Sequence, residues 1–369
     1  MSNASGATAV APLRTTTVSV ADGLAAFELS PARGCLPSAD PLLRLPPAFD
    51  AWEALADDLP ALRLSDRLPD RVRRMPLLDV SPLRGSDELE RAMAMLSFIA
   101  QACAAATDDS PAIVPANLAV PWDAVARRLG RRAEMSYASA VLHNWRRIDA
   151  DRPIEPGNLA VLHRFTGDGG DEAWFLVVQV AVESAAAGAL ATLQPILRGA
   201  AKDDVAGVTR HLHALADALD AMFATLARLG ERCDRYVWEL RARRLYQPVR
   251  MTLEQVPGGE NPASPPGPDL FCRSTPLAAI TALLRIDEES STEPAWRLPA
   301  HASFVQHVRR GADLRRLLER PGAPSDIRHA FNRCAAGVAR FRAELDDWLS
   351  DALLPVATDD GSAVPGSPR

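Results

Sequence analysis

Two long alanine-rich segments, residues 172–197 and 203–229, constrain the fold of this chain more than any other feature of its sequence. In both segments apolar residues recur three and four positions apart, which places them on one face of an α-helix. Two such segments in succession are typical of antiparallel neighbours in a helical bundle. Aromatic residues make up only 5% of the chain, and no alternating strand pattern of useful length is present. The predicted fold class is therefore all-α.

Other segments carry the same periodicity. The clearest is Ser86–Ala105, which has acidic residues in its first turn and Leu89, Met93, Leu96 and Ile99 on one face. The remaining predicted helices are Phe49–Leu59, Trp122–Leu129, Ser136–Ile148, Asn158–Phe165, Cys233–Leu245, Pro276–Ile286, Ala300–Arg309 and a last long helix over 325–353.

Polar and proline-rich stretches divide the chain into predicted domains. Residues 1–30 are small and polar, and we expect them to be disordered. The polar stretch 107–111 separates a small helical domain, 31–107, from a large helical-bundle domain, 112–354. Residues 255–268 are rich in proline and glycine and predict a flexible loop, and the tail 355–369 is expected to be disordered.

Bulk properties exclude several classes of function. A net charge of −6 gives no reason to expect nucleic acid or an anionic membrane as a partner. No apolar run is long enough to predict a membrane span, and the N-terminus does not resemble a signal peptide, so we expect a cytoplasmic protein. The five cysteines are dispersed, which argues against a disulfide framework and a cysteine-based zinc site. We expect a monomer or a homodimer.

The most specific strings lie in the first half of the large domain. Residues 114–122 read VPANLAVPW, and residues 135–149 read MSYASAVLHNWRRID. Taken alone, they indicate a proline-bounded extended segment, a helix, a turn and a second amphipathic helix, which is also what ordinary core packing would produce. Together with 153–162, 174–183, 232–243, 298–304 and 328–343, however, the chain resembles the indoleamine 2,3-dioxygenase family, over about residues 33–353. By this resemblance the chain looks like a bacterial member of the family.

This resemblance implies a concrete fold and chemistry. Family members are helical, with a small N-terminal domain over a large bundle that holds haem b, and they insert both atoms of O2 into the indole ring of tryptophan. A small indole-type aromatic molecule and O2 are therefore the implied partners, and oxidoreductase is the implied enzyme class. The residues at the positions of the substrate wall are Tyr137, Ala140, Val141, Phe175, Gln179, Trp238 and Arg243.

Two of the implied contacts have alternative interpretations. The family position of Arg243 pairs with the substrate carboxylate, but Arg243 also lies close to Arg241 and Arg244, as on a solvated helix face. The loop over the haem propionates corresponds to Arg273, Ser274 and Thr275, with Arg342 on the last helix as a further cofactor-side residue. These residues could bind an anion, although Ser274 or Thr275 is better interpreted as a helix N-cap before Pro276. Bulky residues near the haem edge are replaced by the small residues of 102–106.

The most consequential departure from the family is at the axial ligand. Leu345 occupies the position of the iron-ligating histidine, on an apolar stripe formed by Cys334, Val338, Phe341, Leu345, Trp348 and Ala352. Leucine has no donor atom for iron. No histidine follows His329, which lies sixteen residues before Leu345 and hence about 24 Å away along a helix.

Two hypotheses about function therefore remain open, beside a third, a purely structural or interaction protein, that nothing in the sequence specifically supports. The protein is either a haem enzyme acting on an indole-type aromatic, with another donor in place of the histidine, or a diverged member without haem iron. The diverged member would bind an aromatic small molecule or carry out metal-free chemistry. On either hypothesis we do not expect ordinary tryptophan dioxygenation.

Overall fold

A computed structural model describes residues 23–105, 111–167, 170–247, 249–258, 260–261, 269–286, 297–311 and 313–350. The predicted boundary at 107–111, the loop 255–268 and the tail 355–369 lie largely or entirely outside the described residues. Thirteen α-helices are found within these ranges, and they are numbered in chain order. They are α1 Asp50–Asp57, α2 Leu59–Leu64, α3 Leu68–Arg73, α4 Ser86–Ala105, α5 Ala116–Arg128, α6 Asp171–Ala185, α7 Ala187–Ala201, α8 Val205–Leu226, α9 Arg235–Val237, α10 Thr275–Leu284, α11 Pro299–Arg309, α12 Arg315–Leu318 and α13 Ser325–Leu349.

Short strands connect distant parts of the helical fold. Strand β1, Ala112–Val114, pairs in parallel with β4, Met251–Leu253, which pairs antiparallel with β5, Glu260–Asn261. Strand β2, Trp145–Arg147, pairs antiparallel with β3, Leu159–Val161. These pieces are too short to form a layer, and the prediction of an all-α fold is confirmed.

The bundle core is built around α8, which packs against α6, α7 and α13. A close approach between α8 and α13 is possible because Gly337 carries no side chain: a Cβ placed there would lie 3.2 Å from the Cβ of Leu219. On the outer edge, Arg333 and Arg340 of α13 both contact Asp220 of α8. An apolar inner seam and a charged outer edge thus fix α13 on α8.

Helix α4 lies deep in the fold outside this bundle, with every residue from Arg91 to Ala104 buried. It packs against α1, α2, α5 and the helical turn Ala138–Leu142. The charge of Arg91 is matched by Glu53 of α1, with Nη2 2.6 Å from Oε2. A buried ion pair of this kind is tolerated only when both partners are present.

The N-terminal segment, residues 23–45, is seated on the large bundle. Its 3-10 turn Leu24–Phe27 buries Phe27 edge-on against Phe304 of α11, with ring centroids 5.3 Å apart. Residues 23–30 are therefore structured, contrary to the expectation of disorder, because the side chains of Phe27 and Leu29 are buried against the bundle. Residues 1–22 lie outside the described part of the chain.

Several predicted helices have different structures. Residues 159–161 form β3 rather than part of a helix over Asn158–Phe165, and the predicted helix Ser136–Ile148 is a π-helical turn at Ala138–Leu142 followed by β2. The segment predicted as Glu172–Leu197 is divided at Ala186 into α6 and α7, and Cys233–Leu245 consists of successive short turns. In each case the spacing of apolar residues was compatible with a helix. The observed structure depends instead on pairing with another strand or on a reversal of the chain.

One stretch, Asp171–Ala201, is apolar and long enough to cross a membrane by length and composition alone. Of its most apolar window, 78% is buried inside the protein. It corresponds to α6 and α7, so it is a core element of the bundle.

Candidate functional site

The inner face of α13 carries the apolar stripe anticipated from the sequence. Cys334, Phe341 and Leu345 are 0%, 2% and 2% exposed, respectively. Of the two acids beside Leu345, Glu344 accepts a hydrogen bond from Trp348 Nε1 at 3.3 Å and Asp346 is exposed. An aliphatic side chain therefore occupies the inward-facing position of this helix turn.

The predicted substrate wall comes from three elements that the fold brings together. Tyr137, Ala140 and Val141 belong to the turn around Ala138–Leu142, which packs on α6, and all three are buried. Phe175 and Gln179 lie one helical turn apart on α6. A chain reversal after α8 returns Trp238 to the same region.

The aromatic side chains of this wall contact one another directly. The rings of Phe175 and Trp238 are stacked, with centroids 3.7 Å apart and planes 10° apart. Phe271 packs edge-on against both rings, at 4.8 and 5.6 Å, and Tyr246 continues the cluster on the far side. We call Phe175, Trp238, Phe271 and Tyr246 the aromatic cluster. Phe271 and Tyr246 were not singled out from the sequence, because only the tertiary fold brings them to Phe175.

Two buried hydrogen-bond donors border the aromatic cluster. Among the described residues, neither Gln179 Nε2 nor Trp238 Nε1 has a hydrogen-bond partner. Leaving a buried donor unpaired costs about 1–3 kcal/mol. A flat apolar wall beside unpaired donors suits an aromatic ligand that carries hydrogen-bond acceptors.

A buried carboxyl group, Glu183, lies at the C-terminal end of α6. The Tyr137 hydroxyl donates to Glu183 Oε1 at 2.8 Å, and Glu183 is 0% exposed. Burial raises the pKa of Glu183, while the neighbouring side chains of Ser274, Tyr137 and Cys35 lower it in part. Burial also raises the pKa of Tyr137 well above its usual range, and the neighbouring Glu183 adds to this shift. The only sequence signal for this group was a lone acid inside a long apolar run.

Arg243 is held by two acidic side chains. Its Nη1 lies 3.0 and 2.9 Å from the two carboxylate oxygens of Glu239, and its Nε lies 3.4 Å from Asp269 Oδ2. The Arg243 side chain is 11% exposed, so the alternative of a solvated helix face does not describe it. A carboxylate-bearing ligand would have to compete with these two groups.

The predicted cofactor-side residues cluster around α10. Ser274 is at the N-cap position of α10 but makes no side-chain capping bond, and Arg273 and Thr275 are buried beside it. Thr275 Oγ1 accepts from Arg297 Nη1 at 3.2 Å. Arg342 reaches across from α13 and donates to Thr281 Oγ1 at 3.1 Å. Ser274 is thus at the N-cap position, as one interpretation of the sequence predicted, although no side chain caps the helix.

These residues do not fit the axially ligated haem that the resemblance implies. The inward position on α13 is the aliphatic Leu345, which offers no nitrogen, sulfur or phenolate donor. The thiol of Cys334, eleven residues earlier on the stripe, is about 16 Å away along the helix and donates to the carbonyl oxygen of Leu212. No three His, Cys, Asp or Glu side chains form a metal-binding group within the described ranges.

Comparison with known proteins gives consistent results. The family model described as "Indoleamine 2,3-dioxygenase" matches residues 23–255. Mouse indoleamine 2,3-dioxygenase 1 is 27% identical over 329 residues, covering 82% of this chain and 78% of the relative. Human indoleamine 2,3-dioxygenase 2 is 26% identical over 356 residues, covering 89% and 85%.

A protein named myoglobin from Haliotis madaka is also similar, at 26% identity over 322 residues, covering 81% of this chain and 80% of the relative. The family match covers well over half of the chain and includes the N-terminal segment, α4, the substrate wall and Arg243. The chain therefore belongs to the indoleamine 2,3-dioxygenase family.

Proposed function

We propose that this protein is a diverged family member that binds a small indole-type aromatic molecule and does not carry out tryptophan dioxygenation with a histidine-ligated haem. The observation that carries the proposal is Leu345, an aliphatic side chain buried at the inward position of α13. Because iron in such a site requires a donor atom, no step of the proposed function passes through haem.

The aromatic cluster supports the binding part of the proposal. An indole would pack against the Phe175–Trp238 stack, and its polar substituents would accept hydrogen bonds from Gln179 Nε2 or Trp238 Nε1. Aromatic pairs of this kind contribute about 0.5–1.5 kcal/mol beyond their buried area.

The relatives support divergence within this fold. Several are named as dioxygenases, but two are named myoglobin. The family's fold is therefore compatible with more than one activity, and activity has to be argued from the site. An oxidoreductase acting through another donor is the alternative that the first experiment tests.

The first experiment measures haem binding. The full chain is produced with a haem precursor supplied, and its absorption spectrum and iron content are recorded. We expect less than stoichiometric haem and no tryptophan dioxygenation. A stoichiometric Soret band together with turnover of tryptophan would contradict the proposal.

The matched variant is Leu345→His, which restores a nitrogen donor at the inward position of α13. We expect it to bind haem more tightly than the unmodified protein and to shift the Soret band. Ala343→His, at an exposed position on the same helix, is the control and should change neither quantity. Identical spectra for Leu345→His and Ala343→His would mean that position 345 does not face a haem site.

The second experiment tests ligand binding at the aromatic cluster by calorimetric titration with indole. Phe175→Leu removes one ring of the stack and should weaken indole binding by about 3- to 10-fold, from the value of one aromatic pair. Phe304→Leu, equally buried but on α11 against Phe27, controls for general destabilisation. Equal losses of indole affinity in the two variants would mean that indole does not bind at the aromatic cluster.

Arg243 is the proposed partner of a ligand carboxylate. Glu239→Gln removes one of the two competing acids and should tighten binding of indole-3-propionate relative to indole-3-propanamide. The amide is the matched neutral ligand, because it has nearly the same size and shape as the acid but carries no charge. If Glu239→Gln leaves the ratio of the two dissociation constants unchanged, Arg243 does not bind the carboxylate.

A further inference from the structure

The aromatic cluster is closed to solvent. Phe175 and Trp238 are both 0% exposed, and Gln179, one helical turn from Phe175 on α6, is 2% exposed. A ligand reaches such side chains only when part of the fold moves aside, as in enzymes whose loops open and close over a buried site. The proposed function therefore requires an entrance.

A cavity of about 770 Å³ lies under the N-terminal segment. Its lining comes from this segment, from the first turns of α4, from His143 and from the beginning of α11. None of its described lining residues belongs to the aromatic cluster. We call it the N-terminal cavity.

The N-terminal cavity adjoins the substrate wall through one buried side chain. Cys35 lines the cavity and is 3% exposed, and its thiol neighbours the carboxyl group of Glu183. Glu183 also accepts the hydrogen bond from Tyr137, at 2.8 Å. Phe175, Gln179 and Glu183 are spaced four residues apart on one face of α6, which places Phe175 about 12 Å from Glu183 along the helix axis. The cavity thus ends at the face of α6 that carries Phe175 of the aromatic cluster.

The contacts that hold the N-terminal segment over this face are few and separate. Gly34 touches the backbone carbonyl group of Glu183. Asp40, in the cavity lining, links the segment to β2, because its Oδ2 lies 2.8 Å from Arg147 Nε. The Asp40 and Arg147 side chains are 27% and 20% exposed. Ion pairs open to water contribute little stability, so displacing the segment at Asp40 costs little.

Between these contacts the segment is stiff. Pro31, Pro37 and Pro41 all lie in the cavity lining, and each proline ring fixes the φ angle of its residue. We therefore expect the segment to move away from the cavity as a unit.

The charges of the lining determine which ligands pass through it. Four carboxyl groups line the cavity, those of Glu28, Asp40, Asp87 and Glu90. They repel an anion. An uncharged indole ring is not repelled and has no charge to desolvate.

We propose that the N-terminal cavity is the entrance to the aromatic cluster, and that the N-terminal segment opens it by moving away from Glu183. An indole-type ligand enters the cavity, passes Cys35 while the segment is displaced, and follows the face of α6 past Gln179 to Phe175. This inference rests on the function proposed above, because it assigns an entrance to the same ligand site.

The test measures the exchange of 5-fluoroindole, an uncharged probe, with the full chain by fluorine NMR. A change at the entrance alters the association and dissociation rate constants by the same factor and leaves the dissociation constant unchanged. Ala39→Trp, at an exposed position in the cavity lining, narrows the entrance and should lower both rate constants by about 3-fold or more. Ala32→Trp, also exposed but outside the lining, should change neither.

A second variant tests the movement of the segment. Asp40→Asn keeps the size of the side chain but removes the charge opposite Arg147. We expect both rate constants to rise by about 2- to 5-fold, from the value of a partly exposed ion pair, with the dissociation constant unchanged. Asp50→Asn is the control and should leave both rates unchanged, because its ion pair with Arg44, also 2.8 Å long, lies outside the cavity lining.

Three results would contradict the proposal. Unchanged exchange rates in both Ala39→Trp and Asp40→Asn, while 5-fluoroindole still binds, would overturn the entrance and leave the proposed function in place. A change in the dissociation constant without a parallel change in both rate constants would also overturn it, because the variant would then act on the ligand site. Absence of 5-fluoroindole binding in the unmodified protein would contradict the proposed function itself, and the entrance with it.

Discussion

Glu183 shows how a single buried acid ties together several parts of the site. Its backbone carbonyl contacts Gly34 of the N-terminal segment, and its side chain accepts a hydrogen bond from Tyr137. Because burial raises its pKa, the carboxyl group keeps its proton to a higher pH in the folded state than in the unfolded chain. A neutral carboxyl can donate as well as accept, which a carboxylate cannot.

The first prediction concerns the pH dependence of stability. A raised folded-state pKa contributes stability below the unfolded value, near 4.5, and this contribution is lost as pH rises toward the folded-state pKa. Glu183→Gln lacks this titration. Relative to the variant, the unmodified protein should therefore lose up to about 1.4 kcal/mol of unfolding free energy per pH unit in this window.

Urea unfolding between pH 5 and 7.5 measures the difference. Glu319→Gln, at an exposed position, is the control. Its unfolding free energy, plotted against pH, should run parallel to that of the unmodified protein. If the Glu183→Gln curve is also parallel, Glu183 does not titrate in the way proposed.

At the residue scale, the sequence was informative wherever local spacing decides orientation. The stripe through Leu345 could be predicted because helix geometry alone places it inward. The Asp269 partner of Arg243 could not, because Asp269 is brought to Arg243 by the chain reversal around β4. The same holds for Glu183, whose burial depends on the N-terminal segment.

At the scale of elements, helices with a sharp start and a continuous apolar face were the most predictable. The bounds of Ser86–Ala105 are those expected from the sequence. Helix α5 begins at Ala116 rather than Trp122, and Pro121 is accommodated inside it. Residues 159–161 were misassigned because a three-residue strand exists only through its pairing with Trp145–Arg147.

The second prediction compares two helical glycines. Replacing glycine by alanine inside a helix ordinarily stabilises by about 0.5–1 kcal/mol. Gly188→Ala on α7 should show this gain, since its new Cβ would lie 3.6 Å from Ala218 Cβ, an ordinary contact. Gly337→Ala on α13 should show a smaller gain or a loss, because its Cβ would approach Leu219 to 3.2 Å.

Thermal and urea unfolding of the two variants measure this difference. Equal stabilisation by both substitutions would show that α8 and α13 are not in close contact at Gly337.

At the scale of the whole molecule, one close backbone contact joins the N-terminal segment to α6. Gly34 has φ +65°, and a Cβ there would lie 2.0 Å from the carbonyl oxygen of Glu183. Both the dihedral angle and the contact require glycine. Residue 34 is therefore the position at which the N-terminal segment comes closest to α6.

The third prediction is that Gly34→Ala detaches the N-terminal segment. We expect faster hydrogen exchange and proteolysis in residues 23–45, with the α8–α13 pair unaffected. Gly322→Ala is the control for placing alanine at a positive φ angle. Gly322 has φ +78°, but no atom lies within 4 Å of the added Cβ. Exchange in residues 23–45 that is no faster in Gly34→Ala than in Gly322→Ala would mean that the contact with Glu183 does not hold the segment in place.

The pairing of β1 with β4 has a consequence for folding during synthesis on the ribosome. Val114 of β1 is paired with Leu253, 139 residues later. At a synthesis rate of 5–20 residues per second, β1 emerges about 7 to 28 s before its partner. During that interval its backbone groups are unpaired, and α4 and α5 beside it lack part of their packing surface. The large domain therefore cannot complete its fold from the N-terminus onward, and the ribosome must release β4 before the two ends of this unit close.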